Sequence, residues 1–143
     1  MEVRGYCPRV QLPGTQAVLN RYERNGDGDP EKLQQQISVS DVTRSCSFAG
    51  GQIGITVALA GRIVRGPAAQ GAAAASVPIK IEVINTSGEV LYSRIHQHQV
   101  DLSGAGATQF VFTDPAIVIP QLTEANVRIF AGLDVPPPKE LPL

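Results

Sequence analysis

The sequence predicts an all-β protein, an antiparallel sandwich of about seven or eight strands, and three observations carry that expectation. In "QIGITVALAGRIV", Ile53, Ile55, Val57, Leu59 and Ile63 fall on odd positions, whereas Gly54, Thr56, Ala58, Ala60 and Arg62 fall on even ones. Side chains leave a strand alternately to its two faces, so a period of two marks a strand with one buried face. The same period recurs in "VPIKIEVIN", with Val77, Ile79, Ile81 and Val83 opposite Lys80 and Glu82, and in "NVRIFAGLD", with Val127, Ile129, Ala131 and Leu133. Short turn sequences separate such runs, and no window shows convincing apolar spacing at the helical period of 3.6.

The elements follow in chain order. "QAVLNRY" opens the series, and "DPEKLQQQ" predicts a turn of helix with Asp29 as cap and Pro30 in the first helical position. In "QQISVSDVTRSCSF", Ile37 and Val39 are odd but Val42, Cys46 and Phe48 are even, which predicts a β-bulge near Ser40 and Asp41 and an inward Cys46. "AGGQ" at Ala49 to Gln52 and "NTSGE" at Asn85 to Glu89 are short enough to close hairpins. "EVLYSRIHQHQVDL" supplies the second partner of the latter, and "TQFVFTD" and "AIVIP" follow as two further strands. Many short alternating strands in one chain slightly over a hundred residues give the sandwich an immunoglobulin or fibronectin III-like character, with a barrel as the alternative. The tryptophan that packs on the disulfide of immunoglobulin domains is absent, because the chain has no Trp. "RGPAAQGAAAASVP", Arg65 to Pro78, reads as a loop, and "VPPPKELPL" as an extended tail, so residues 1–134 form one domain and 135–143 a proline-rich tail.

Composition narrows the function classes. In 143 residues, 12 Lys plus Arg balance 13 Asp plus Glu for a net charge of -1, which supplies no field for nucleic acid or an anionic membrane. The 43% hydrophobic content argues for a folded chain, and no apolar run approaches the roughly 18 residues of a transmembrane segment. The N-terminus "MEVRGYCPRV" has neither a basic nor an apolar leader region. The protein is then cytosolic, or Met1 has been added to a mature sequence. Arg4, Gly5 and Tyr6 are not the small and aliphatic run that precedes a lipid-modified cysteine.

Cys7 and Cys46, the only cysteines, are in no metal-ligand spacing, and a disulfide is their simplest use. A closed loop of about 40 residues stabilises by about 4 kcal/mol in the chain-entropy account. The alternative is two buried free thiols in a reducing compartment.

Candidate sites are few. "NGDGDP" sets Asn25, Asp27 and Asp29 at alternate positions, where their oxygens could converge on a calcium ion. An EF-hand is excluded, because counting from Asn25 the sixth position is Pro30 rather than Gly and the twelfth is Gln36 rather than Glu. A turn in which Asp29 caps a short helix is the plainer reading, with calcium as the one candidate cofactor. "HQH" places His96 and His98 on one face of a strand, a pair that chelates zinc or copper when a third ligand joins it; the plainer reading is a solvent-facing strand with alternating glutamines. "SGAGATQ" has Gly104 and Gly106, but Gln109 stands in place of the third glycine of a dinucleotide fingerprint. Asn85 in "NTS" fits the glycosylation pattern, which matters only in a eukaryotic secreted protein. The chain has no nucleophile elbow, zinc-protease motif or phosphate-binding loop, so it reads as a non-enzyme.

At "GDGDP", "SDVTRSC" and "ATQFVFTDP" the chain resembles a group of uncharacterised exported β-domain proteins and lipoproteins of alphaproteobacteria. The resemblance runs from Cys7 to Asp134. It implies a removed leader, an oxidising periplasm in which a Cys7 to Cys46 bond is natural, and a lipid anchor as one form of the precursor. It supplies no catalytic residues. The function expected is that of a noncatalytic cell-envelope module that binds or scaffolds another envelope protein, with a calcium-stabilised binding protein as the alternative and an enzyme as the less favoured reading.

Overall fold

Alternation resolves into eight strands: β1 (Arg9–Gln11), β2 (Val18–Tyr22), β3 (Leu33–Ala49), β4 (Gln52–Arg65), β5 (Ala74–Asn85), β6 (Val90–Asp101), β7 (Thr108–Pro120) and β8 (Val127–Leu133). They are seen in a computed structural model that describes residues 6–69, 71, 73–102, 106–122 and 125–136. Gly104 and residues 137–143 of the proline-rich tail lie outside the described residues. The strands form two four-stranded sheets, ordered β1-β8-β5-β6 and β2-β3-β4-β7. Every pairing is antiparallel except that of β1 with β8.

The two sheets enclose one core. Ile37, Ile55, Leu59 and Ile117 on one side, and Ile79, Ile81, Ile129 and Leu133 on the other, have no exposed surface. Burying each such side chain contributes about 1.5–3 kcal/mol. No helix among the described residues is long and apolar enough to cross a membrane.

Turn chemistry fixes the register of the hairpins. Between β3 and β4, Gly50 and Gly51 both take positive φ, 60° and 75°, the pair of left-handed residues that a two-residue hairpin turn requires. Between β5 and β6, Asn85 Oδ1 accepts the backbone N–H groups of Ser87 and Glu89 at 3.1 and 2.8 Å. The bulge expected in β3 is present. Pairing with β4 slips between Val39 and Asp41, and the Ser40 hydroxyl donates to the Ala60 carbonyl at 3.2 Å. The slip carries Val42 and Cys46 to the inner face, where both pack against the core.

The disulfide joins Cys7 to Cys46, with Cα atoms 5.8 Å apart. It ties the lead-in to β1, in one sheet, to β3 in the other. Arg44 Nε donates to the Pro8 carbonyl at 3.0 Å, and the Tyr6 hydroxyl donates to the Val127 carbonyl at 3.4 Å. The N-terminal segment thereby closes one flank of the sandwich.

Three expectations need correction. "TQFVFTD" and "AIVIP" are one strand, β7, because a bulge at Pro115 keeps the ladder going. The stretch from Arg65 to Pro78 is only in part a loop: β5 begins at Ala74, and Ala75 is small enough to sit on the core face. Pro78 is tolerated there because pairing with β8 begins one residue later, at Ile79, and its carbonyl accepts from Asp134 N–H at 2.9 Å. Strand β1 has too few residues to show a period, and its parallel pairing departs from an all-antiparallel sandwich.

Candidate functional site

The flank opposite the disulfide is closed by side chains. Strands β6 and β7 are the edges of their sheets on that flank. In the ladder, Tyr92, His96 and His98 lie opposite Val83, Ile79 and Val77, all buried, so these three polar residues face the interior rather than the solvent. On β7, Phe110, Phe112 and Asp114 lie opposite Gly61, Leu59 and Val57 and face the same interior.

Asp114 is 3% exposed, the only buried polar or charged residue among the described residues. Its Oδ2 accepts from the Tyr92 hydroxyl at 2.5 Å and lies 3.1 Å from His96 Nε2, while its Oδ1 accepts from Ala116 N–H at 3.0 Å. An ionised carboxylate can only accept, so in this contact His96 Nε2 carries a proton. His96 also lies against the Phe112 ring at 4.9 Å, and His98 lies 5.2 Å from Phe112 and 6.3 Å from Phe110.

The bulge explains why a carboxylate reaches this place. Pairing with β4 shifts between Ile55 and Val57, opposite Asp114, Pro115 and Ala116. Pro115 has no N–H to offer, and the Ala116 N–H turns to the Asp114 side chain. Inner positions therefore pass from even numbers, Phe110 to Asp114, to odd ones, Ile117 and Ile119.

The electrostatics follow from these contacts. Burial on its own raises the Asp114 pKa, but the hydrogen bonds from Tyr92 and Ala116 and the neighbouring His96 outweigh it, and the carboxyl titrates below its ordinary range. Burial, with the Asp114 hydrogen bond and charge, pushes Tyr92 up to about 12, against a smaller opposing effect of Arg94. A buried carboxylate that takes one donor from its own strand and two from across the gap between the sheets is a staple: it fixes β6 against β7 where no backbone pairing does so.

The other sequence candidates lie apart. Asn25, Asp27 and Asp29 are exposed on a loop closed by its own backbone, with Gly26 N–H donating to the Glu23 carbonyl and Asp29 N–H to the Gly26 carbonyl. Asn25 takes φ 63°, and Asp29 Oδ1 accepts Glu31 N–H at 3.0 Å, capping the short 3-10 turn Pro30–Lys32. Among the described residues, no three His, Cys, Asp or Glu side chains gather where they could hold a metal ion. Asn85 serves its own turn. His96 and His98 share a face as their spacing requires, but the face is the inner one, and the glutamines take the outer one.

Sequence reasoning missed Asp114 and Tyr92. The available signal was the change of parity across "FTDPAIVI", which puts Asp114 in phase with Phe110 and Phe112. Compared with known protein families, with curated proteins and with solved structures, the chain matches none.

Proposed function

We propose that the protein is a noncatalytic binding or scaffolding module of the cell envelope, exported to the periplasm, that engages another envelope protein along the outer edge of β6. The observation that carries this reading is the edge itself: β6 runs twelve residues, from Val90 to Asp101, pairs only with β5, and is held from behind by the Asp114 staple. A long edge strand offers a row of backbone donors and acceptors to an added strand, which the side chains beside it select. Val90 and Ile95, both half exposed, supply apolar contacts along it. The disulfide supports an oxidising compartment. An immunoglobulin-like sandwich and a lipid-anchored precursor belong to the same reading.

The test places a photo-crosslinking residue at Ile95 in the full chain, exported in an alphaproteobacterial host, with Ser47 on β3 of the other sheet as the control position. A discrete adduct with one envelope protein from Ile95 alone is expected. No adduct, or turnover of ester, phosphate or peptide substrates that Asp114→Asn abolishes, would overturn the reading.

A further inference from the structure

The outer face of the β2-β3-β4-β7 sheet is nearly free of charge. By register, Asp41 on β3 and Arg62 on β4 are the only charged residues that its four strands set on it among the described residues. The outer face of the other sheet, by contrast, carries the ion pair Lys80–Glu82 together with Arg128. Val18, Val111 and Val118 are 45%, 64% and 52% exposed on the charge-poor face. Beside Val111 the surface sinks into a hollow of 440 Å³ over Ser38, Ser40, Ala60 and Arg62, where Ala60 and the two serines are small.

Size and charge point to one occupant. Strands β3, β4 and β7, of 17, 14 and 13 residues, lie side by side. With β2 they present a face of about 40 by 15 Å, about 600 Å². Specific interfaces begin at about 600 Å² from each partner, with about 800 Å² typical, so the whole face is needed. Asp41 is the midpoint of β3 and lies opposite Ala60, two residues from Arg62 along β4. The acid and the base are therefore about 8 Å apart near the centre of the face. Both are exposed, and neither has an ion-pair partner among the described residues.

We infer that this face is the contact surface of a homodimer, in which two copies pack sheet against sheet about a two-fold axis passing between Asp41 and Arg62. The axis sets Asp41 of each copy against Arg62 of the other, twice, and leaves no charge unpaired at the centre. Exposed valines of one copy meet the hollow of the other. The inference goes beyond the envelope-binding reading: it concerns a different surface, and a monomer would leave the β6 edge intact.

Sedimentation velocity on the full chain, from about 1 to about 100 µM, tests it. The expected result is a dimer that Asp41→Arg or Arg62→Asp alone weakens at least about tenfold and that the double exchange restores. Ala58→Glu and Ser45→Glu, two independent charge insertions on the face, should each give monomer while circular dichroism still shows a folded sheet protein. A wild-type monomer at the highest concentration, a dimer indifferent to both insertions, or a double exchange no better than either single one would overturn the inference.

Discussion

Tyr92 and Asp114 belong to different sheets, and the hydroxyl of the first donates to the carboxylate of the second at 2.5 Å across the flank of the sandwich. No backbone pairing joins β6 to β7, so this contact, the one from His96 and the packing of His96 and His98 on Phe112 fasten the two edge strands together. Leaving such a carboxylate without its donors costs more than a surface hydrogen bond, because the charge stays buried.

Stability should depend on pH at both extremes. The Asp114 pKa is lowered in the fold, so its contribution is full above the unfolded carboxylate value of about 4 and is lost as pH falls through the folded value. The Tyr92 pKa is raised from 10.0 to about 12, so its contribution is full below pH 10 and is lost between there and 12. His96, His98 and Arg94 share the inner side of β6 with Tyr92, and Asp114 faces them from β7. Urea midpoints measured across pH should fall at both ends, and Tyr92→Phe should flatten the alkaline fall.

Two glycines in β4 should respond differently to alanine. A Cβ at Gly61 would meet the Ser38 carbonyl oxygen and, at 2.8 Å, the Phe110 ring, neither of which can turn away. Gly61→Ala should destabilise by about 1–3 kcal/mol. At Gly54 the near atom is the Ser47 hydroxyl at 2.9 Å, which can rotate, so Gly54→Ala should cost less than half as much. Chemical denaturation of the two variants side by side decides this.

Replacing both Cys7 and Cys46 by serine should cost about 4 kcal/mol, the chain-entropy value for a loop closed across 39 residues. Hydrogen exchange should then rise first in β1 and at its partners Arg128 to Phe130, because only the three-residue pairing with β8, the packing of Val10 and Leu12, and the bonds of Arg44 and Tyr6 then hold the segment. Mass spectrometry without reductant should find the native protein two hydrogens lighter than its reduced form.

Calcium offers a separate check on the loop at Asn25, Asp27 and Asp29. With Asp29 Oδ1 already engaged by the Glu31 N–H, melts in EDTA and in excess calcium should coincide, whereas Asp29→Ala should cost about 1 kcal/mol as a lost cap. A calcium site filled at a hundred times its dissociation constant would instead add about 2.7 kcal/mol.

Much of the architecture was legible because alternation is a local property. Ile53 to Ile63 and Val77 to Val83 declare their buried faces without reference to any neighbour, and the change of phase between Val39 and Val42 located a bulge that the structure contains. Glycines at 50 and 51 announced their hairpin in the same way. What sequence could not show depends on residues distant along the chain. Whether His96 faces solvent or interior depends on which side of β6 meets β7, and alternation labels two faces without saying which is inner when both carry polar residues. Asp114 looked like the end of a strand because Asp-Pro is a turn signal, and only the ladder with Val57 reveals the bulge. Strand β1 has three residues and exists through its pairing with β8 and the disulfide.

A double-mutant cycle on Tyr92→Phe and Asp114→Ala, read by urea denaturation at neutral pH, tests the staple most directly. If the two residues hold β6 to β7 through each other, the cycle should show a coupling of about 1–3 kcal/mol, and Asp114→Ala in the Tyr92→Phe background should cost correspondingly less. Losses that add to within about 0.5 kcal/mol would contradict the account.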